Sequence, residues 1–498
     1  MKDTTKFPNE TYKDTVLAPR CEGAKAHYVQ PIRAINQAHL VMLAETKIVD
    51  EETAAKIANA LLHIDQNVDV DGLQYTGEFE DYFFLVEAEL KSRLGPDIAG
   101  ALHTARSRND MDHTVFKLVL QQRTDALLAL AQNLADQMVS TAQRESDTLI
   151  VAYTHGQPAQ PSTFGHYLGA ATEVLLRDIE RLELARKSLD KCPMGAAAIT
   201  TSGFPIDRHR MANLLGFGAP QENAYGCIAS VDYVTGLYSA MKLLFLHLGR
   251  LVQDFQFWSA FEVGQLYVPN SFVQISSIMP QKRNPVPIEH LRLLSSLSVG
   301  RCDMMVNNMH NTPFTDMNDS EGEVQQAGYA AFESGGRVLQ LLSAFVPALS
   351  INADKVRQNT DASCITITEL ADTLVRKDGL SFRQAHEVAA QTAKSVIAKN
   401  VGLAQGYEDF LVHFGESIGQ KSCLDLEMYQ RAVAAEHFVK VRDRFGGPGP
   451  DALRASLDGY QKQIKLFKEN LAANLKKQQV ADDEREKSFN QLASKRGN

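Results

Sequence analysis

Five stretches of this chain carry apolar residues at helical spacing for far longer than a typical globular helix of about eleven residues. They cover roughly residues 112–146, 163–189, 231–262, 287–308 and 323–345, and the first contains neither Pro nor Gly. Apolar residues that recur every three or four positions predict a buried helix face. Because such long helices pack side by side, the sequence predicts an all-α fold built around an extended helical bundle.

The third of these stretches is apolar around most of its circumference. The run Leu243–Leu246 is followed by Leu248, Leu251 and Val252. A helix of this kind is buried on several sides, which a bundle from one chain does not provide. We therefore expect bundles from several subunits to pack together.

The rest of the chain divides around this core. A smaller helical domain with turn-rich stretches is predicted for residues 1–110, and the central bundle for residues 111–355. A C-terminal helical domain is predicted for residues 356–498, with a Gly-Gly-Pro-Gly-Pro break at 446–450.

The charge balance bears on the partners of the protein. The 498 residues carry a net charge of -9. Binding to phosphates requires clustered Lys and Arg, so we expect no nucleic acid partner. The one dense charge run, residues 481–487, has mixed sign and predicts a solvated, partly frayed helix end.

The six cysteines form no Cys-x-x-Cys pair, and no His lies near them at metal-ligand spacing. This pattern favours reduced thiols in a cytoplasmic enzyme over a disulfide framework or a zinc site. Residues 1–6 lead into no apolar segment, and no apolar run reaches about 18 residues. We expect neither a secretory signal nor a membrane span.

Three turn-rich segments between the helices carry polar side chains suited to chemistry. The first, residues 103–110, places Arg106, Ser107, Arg108 and Asn109 just before the first long helix. Guanidinium groups and free backbone N–H groups at a helix N-terminus predict an anion site. Capping by Asn109 or Asp110 is the alternative, but it explains one residue and leaves both arginines unexplained.

The second segment, residues 153–161, contains Thr154 and His155. Histidine is the side chain best suited to proton transfer near neutral pH. A lone loop histidine is more often structural, so this segment alone leaves both interpretations open.

The third segment reads Ser-Ser-Ile-Met-Pro-Gln-Lys-Arg-Asn-Pro over residues 276–285. Its prolines exclude regular structure. Such a loop can hold an oxygen nucleophile or base beside the fixed charge of Lys282, whereas a Pro-rich surface loop is the alternative.

Together these segments resemble the argininosuccinate lyase family of the fumarase/aspartase superfamily, whose patterns are H-T-G-R-S-R-N-D, Y-T-H-x-Q-x-A-Q-P and G-S-S-L-M-P-Q-K-K-N-P. Residues 369–387 are similar to the family's D-L-A-D-Y-L-V and F-R-E-A-H segment. The resemblance implies three mostly helical domains and a homotetramer with a twenty-helix core. It also implies active sites shared between subunits, a small dicarboxylate substrate, release of fumarate, and no cofactor or metal.

The resemblance also implies roles for the residues of the site. Ser276 would be the base, with Ser277 as the alternative, and His155 paired with Glu289 would handle protons. Glu289 is alternatively a first-turn acid favoured by the helix dipole. Ser107, Arg108, Asn109 and Thr154 would hold the two carboxylates of the substrate, and Lys282 and Asn284 would face the carboxylate that takes on the extra charge. Positive charge is needed where the carbanion spreads into its carboxylate.

Four positions depart from the family in the half of the site that binds arginine. Val231, Asp316, Glu321 and Val324 stand where the family has Arg, Tyr, Gln and Lys. We therefore expect cleavage of another N-substituted aspartate, as in the family's branch that acts on ethylenediamine-N,N'-disuccinate (EDDS). The alternatives are an ordinary argininosuccinate lyase and, more remotely, a structural, crystallin-like protein on the same fold.

Overall fold

The computed structural model describes residues 7–70, 72–73, 75–77 and 81–495. The start of the chain, for which we expect no secretory signal, lies outside the described residues. The predicted all-α class is confirmed, because 71% of the structure is helical and its strands are few and short. The division into 1–110, 111–355 and 356–498 stays a prediction.

The N-terminal part consists of six helices and one π-helical turn, Lys13–Leu17, that joins the first two. These helices are α1 (Glu10–Tyr12), α2 (Ala18–His27), α3 (Val29–Glu45), α4 (Glu51–Asn67), α5 (Tyr82–Leu94) and α6 (Pro96–Ala101). Helix α3 is largely buried and packs against the central part of the chain.

The central part contains the five long helices that the periodicity predicts and two short ones. They are α7 (Arg108–Arg144), α8 (Phe164–Ser188), α9 (Arg208–Leu214), α10 (Ala224–Ala229), α11 (Asp232–Ser259), α12 (Val286–Asn308) and α13 (Gly322–Ala348). Their apolar faces form one hydrophobic core shared with the N-terminal helices.

The long helices give the bundle two distinct ends. His113 near the start of α7 contacts Tyr233 near the start of α11, with 3.3 Å between Nδ1 and the hydroxyl. The end of α7 meets the end of α13, where Arg144 donates to the carbonyl of Pro347 over 3.1 Å. Helices α7, α11 and α13 therefore run in parallel. We call the end where they start the Ser107 end.

Helix α12 runs antiparallel to α11, since Lys242 pairs with Asp303 over 2.5 Å while position 249 faces Ser295. Helix α12 accordingly starts where α7, α11 and α13 finish. We call this opposite end the hairpin end, because it carries the longest strands of the structure.

The short strands form four two-stranded sheets. The strands are β1 (Leu149–Thr154), β2 (Gln157–Thr163), β3 (Lys191–Cys192), β4 (Ala219–Pro220), β5 (Leu266–Tyr267), β6 (Gln274–Ile275), β7 (Arg283–Asn284) and β8 (Ser350–Ile351). Strands β1–β2, β5–β8 and β6–β7 pair antiparallel, and β3–β4 pair parallel. The sequence predicted loops over residues 153–161 and 276–285, where parts of β1 and β2 and the whole of β7 lie.

The C-terminal part begins with six helices, α14 (Ala353–Ser363), α15 (Ile367–Asp378), α16 (Phe382–Ala398), α17 (Tyr407–Ile418), α18 (Leu426–Ala432) and α19 (Ala435–Lys440). Their buried side chains, among them Phe410 and Tyr429, form a hydrophobic core separate from the main one.

The last helix, α20 (Pro450–Ser494), is 45 residues long and returns to the central bundle, where it packs on α3, α4, α7 and α8. It starts at the predicted Gly-Pro break. The prediction of a frayed end at residues 481–487 is wrong, because the run lies inside this helix. Arg485 there is buried and donates to the carbonyl of Leu214 over 3.2 Å. Among the described residues no helix has both the length and the apolar composition needed to cross a membrane.

Candidate active site

The segment before α7 is held by a reciprocal cap. Ser107 is the N-cap residue, and its backbone N–H donates to Asp110 Oδ1 over 3.0 Å. The other carboxylate oxygen of Asp110 accepts the backbone N–H groups of Gly195 and Ala197, each over 2.9 Å. Burial raises the pKa of Asp110 to about 6. Asp110 therefore ties the loop around residue 196 to the start of α7.

Asn109 and the Ser107 hydroxyl lie beside this tie. The Ser107 hydroxyl donates to Asn109 Oδ1 over 3.1 Å, and Asn109 Nδ2 donates to the carbonyl of Ala198 over 3.1 Å. Both side chains are only partly buried, so both are open to a ligand at the Ser107 end.

Arg108 is already paired within its own chain. Its Nη2 donates to Asp81 Oδ2 over 2.7 Å and lies 3.2 Å from Asp112 Oδ2. The guanidinium also stacks 4.9 Å from the centre of the Phe83 ring. Two carboxylates offset its charge, so a substrate carboxylate would compete with them.

Arg106 has a different environment. Its Nη1 donates to Asn36 Oδ1 over 2.8 Å, and its other nitrogens face the His103 ring. It forms no ion pair with any residue that the structure describes. Burial lowers the pKa of Arg106 to about 9. The positive charge of Arg106 is therefore less well balanced by carboxylates than that of Arg108.

The segment 153–161, predicted as a loop, belongs to the β1–β2 hairpin, where Thr154 ends β1 and His155 lies in the two-residue turn at the tip. His155 has φ +52° and Gly156 has φ +73°, the two positive φ values that a tight type I′ turn requires. Both predicted site residues are exposed at the hairpin end. The β-branched and aromatic run Leu149–Thr154 followed by glycine was the missed signal.

Residues 276–282 of the third predicted segment form a loop between β6 and β7, as expected, whereas Arg283 and Asn284 of that segment form β7. The Ser276 hydroxyl accepts the backbone N–H of Met279 over 3.1 Å. Ser277 and Lys282 are exposed, while Ser276 and Asn284 are partly buried. The candidate base is therefore hydrogen-bonded to its own loop backbone.

Arg283, which sequence reasoning passed over, anchors this loop. Its Nη2 donates to the carbonyl of Val268 over 2.9 Å and to Asn270 Oδ1 over 2.7 Å. Its guanidinium lies 4.6 Å from the centre of the Tyr267 ring. The side chains of Ile275 and Ile278 are 85% and 82% exposed, so the loop leaves apolar surface uncovered.

The structure does not bring the three segments together within one chain. Helix α7 spans 37 residues, and at about 1.5 Å per residue it separates Ser107 from the hairpin end by about 55 Å. Strand β2, with seven residues, spans only about 23 Å, so the β1–β2 hairpin is too short to carry His155 back along α7 to Ser107. Ser276 and Glu289, which flank the start of α12, also lie at the hairpin end.

Glu289 is exposed in the first turn of α12. Within the described part of the chain, it makes no ion pair or hydrogen bond with His155. The pairing of these two residues therefore stays a prediction.

The positions that depart from the family form a second cluster at the Ser107 end. Glu321 is buried, and its Oε1 lies 3.9 Å from His113 Nε2. Burial and the neighbouring Asp316 carboxylate raise the pKa of Glu321, and burial lowers the pKa of His113 to about 4. Val231 and Val324 are partly buried and pack against the main core.

Arg20 lies next to this cluster, and sequence reasoning missed it. Its Nη1 donates to Asn318 Oδ1 over 3.3 Å, and its charge acts on both Glu321 and Asp112. The signal was weak, because Arg20 stands in α2, outside the segments that resemble the family.

Comparison with known proteins identifies the family. A lyase family model matches residues 24–300, and a model of the argininosuccinate lyase C-terminal region matches residues 364–439. Argininosuccinate lyase 2 of Agrobacterium fabrum strain C58 is 61% identical over 466 residues, which cover 93% of this chain and 92% of that protein. Argininosuccinate lyase 1 of Shouchella clausii strain KSM-K16 is 31% identical, covering 89% of each chain.

Solved structures agree. The crystal structure of EDDS lyase in complex with formate superimposes with a TM-score of 0.85 at 26% identity, over 94% of this chain and 92% of that one. The chain belongs to the argininosuccinate lyase family of the fumarase/aspartase superfamily. It is a carbon–nitrogen lyase that acts on a dicarboxylate substrate and releases fumarate.

The predicted preference for an EDDS-like aminopolycarboxylate is wrong. The 61% identity to an argininosuccinate lyase and the matching C-terminal family model favour the alternative, while the likeness to EDDS lyase is structural. The prediction failed because it inferred the substrate from four aligned positions without knowing their surroundings. Val231 and Val324 are partly buried and pack against the main core, and Asp316 and Glu321 contact each other and His113.

Proposed function

We propose that this protein is an argininosuccinate lyase, which cleaves argininosuccinate into arginine and fumarate. The observation that carries the proposal is the 61% identity to argininosuccinate lyase 2 of Agrobacterium fabrum over 93% of this chain. The aligned region spans nearly the whole chain, so it includes all three candidate segments.

The reaction requires removal of a weakly acidic proton next to a carboxylate. In our proposal Ser276 takes this proton, and Lys282 and Asn284 stabilise the carboxylate into which the carbanion charge spreads. The hydrogen bond from the Met279 N–H to the Ser276 hydroxyl supports this role, because it also stabilises an alkoxide. Positioned proton transfer and fixed charge supply the acceleration, so we propose that no cofactor takes part.

The remaining site residues hold the substrate or move protons. We propose that Ser107, Arg108, Asn109 and Thr154 bind the two carboxylates of the succinyl group. His155, oriented by Glu289, exchanges protons at neutral pH.

The site requires more than one subunit. The separation of about 55 Å along α7 supports a site that takes its Ser107 segment from one chain and its Ser276 loop from another. Exposed leucines on α11 and α12, Leu246 (41%), Leu293 (55%) and Leu297 (41%), support a helical interface between chains. We propose a homotetramer in which the Ser107 end of one subunit lies against the hairpin end of another.

Binding of the arginine half requires a cation for its carboxylate. Val231 and Val324 carry none, and we propose that Arg20 supplies it from α2. Its place beside Asn318 and Glu321 supports this role.

The test is a fumarate-release assay at 240 nm over a panel of N-substituted aspartates. We expect argininosuccinate to have the highest kcat/KM of the panel. Replacing Arg20 with Met removes one charge-assisted contact worth about 1.5–3 kcal/mol, so KM for argininosuccinate should rise about 10- to 100-fold.

The matched control is Arg33→Met, which breaks an ion pair with Asp65 away from the site (2.8 Å between Nε and Oδ1). It should leave KM unchanged. A higher kcat/KM for another aspartate adduct would contradict the proposed function, whatever the Arg20 variant does.

A further inference from the structure

One cluster among the described residues brings three metal-ligating side chains together. His113, Asp316 and Glu321 each place one ligand atom within 4.8 Å of those of the other two. His113 lies in the second turn of α7, and both acids lie on the segment that leads from α12 into α13. The cluster thus joins two parts of the chain about 200 residues apart in sequence.

The histidine ring is the observation that points to a ligand. His113 is 1% exposed, and its Nε2 finds no hydrogen-bond partner among the described residues. That nitrogen faces the cluster, 3.9 Å from Glu321 Oε1. A buried polar atom without a partner is rare in native structures and calls for an explanation.

A second buried atom of the same cluster is also unpartnered. Asp316 Oδ1 accepts no hydrogen bond from the described residues. When Nδ1 carries the ring proton and donates it to the Tyr233 hydroxyl, Nε2 is an acceptor that lacks a donor, like Asp316 Oδ1, and a cation satisfies both.

We propose that His113, Asp316 and Glu321 bind one divalent transition-metal ion of the zinc type. One imidazole and two carboxylates are a donor set that zinc and cobalt accept, with one position left for water. Metal–ligand bonds of about 2.0–2.1 Å place tetrahedral ligand atoms about 3.3 Å apart. The ligand atoms lie within 4.8 Å of one another, with 3.9 Å between His113 Nε2 and Glu321 Oε1, so side-chain rotations that draw them inward would meet this geometry.

The groups around the three proposed ligands are consistent with a bound cation. His113 Nδ1 lies 3.3 Å from the Tyr233 hydroxyl, a contact that fixes the ring and directs Nε2 into the cluster. Asp112 adds negative charge nearby, and Arg20 adds one positive charge on the same side. The bound ion would hold the segment before α13 against α7.

The test is titration of the full-length, chelator-treated protein with Co²⁺, followed by visible absorption. We expect one Co²⁺ per chain with the ligand-field bands of a four- or five-coordinate ion, and a higher Tm. His113→Gln and Asp316→Asn should each weaken binding by at least about 100-fold, since even the loss of a second-shell partner costs about 10- to 100-fold.

The matched control is His247→Gln, because His247 also contacts a carboxylate, Asp178 Oδ2, over 2.8 Å but lies outside the cluster. It should bind Co²⁺ like the unaltered protein. Absence of stoichiometric binding, or binding that persists in both cluster variants, would overturn the proposal. Metal content is measured without substrate, so this outcome is independent of the fumarate-release result.

Discussion

Mixing two inactive variants tests whether the active site is shared between chains. Asn109→Ala removes a proposed substrate contact at the Ser107 end, and Ser276→Ala removes the candidate base at the hairpin end. The 37 residues of α7 hold these positions about 55 Å apart, so no site can draw both from one chain. Each variant alone should have almost no activity.

The expected recovery follows from counting. In a tetramer assembled at random from equal amounts, a site is intact only when one chain contributes Asn109 and another contributes Ser276. Each condition is met half of the time, so about a quarter of the sites should be active. If the fraction of one variant is p, recovery follows p(1 − p), with its maximum at equal mixing.

The assay unfolds and reassembles the mixed variants and follows fumarate at 240 nm. The negative control mixes Ser276→Ala with Lys282→Ala, because both residues lie in one loop and no chain carries that loop intact. Zero recovery from verified mixed tetramers of the first pair would refute the shared site. Activity in the control pair would show that one site can take Ser276 and Lys282 from different chains.

Three further outcomes are expected. Ser276→Ala should lower kcat by about 10²- to 10⁴-fold, while the kcat of Ser277→Ala should stay near normal. The opposite pattern would assign the base to Ser277. Asp110→Ala removes the acceptor of three backbone N–H groups, those of Ser107, Gly195 and Ala197, at about 1–3 kcal/mol for each that stays buried and unpaired, so Tm should fall while Asp97→Ala, in α6, leaves it unchanged. Burial lowers the pKa of Lys117 from 10.5 to about 8, so the unfolded chain binds more protons between these values. The free energy of unfolding should therefore rise with pH across this window relative to Lys117→Met, by up to about 3 kcal/mol, and parallel curves would contradict the shift.

Helical periodicity predicted the central helices because their signal is local. The stretch near residues 163–189 became Phe164–Ser188, and the stretch near 112–146 became Arg108–Arg144. Helix α7 begins at Arg108, four residues before the predicted start, because the cap formed by Ser107 and Asp110 stabilises an additional polar turn of helix. The spacing of apolar residues cannot reveal a helical turn that is polar.

The tertiary surroundings of the site could not be predicted in this way. The sequence singled out Arg108 but gave no sign that Asp81, on a segment 27 residues earlier, pairs with it. Likewise Val231 reads as a lost arginine in an alignment, and only the structure shows that it packs against the main core. Contacts between distant segments decide both cases.

The last helix has a consequence for synthesis of the protein on the ribosome. Residues of α20 close the main core, since Phe467 accepts a hydrogen bond from Gln132 and Ala493 accepts one from Asn59. The emerging chain therefore carries an open apolar groove until the 45 residues of α20 appear. At about 5–20 residues per second this interval lasts about 2–9 s, long enough for chaperones to bind. A ribosome that stalls or stops early in α20 would release a chain whose exposed groove favours aggregation.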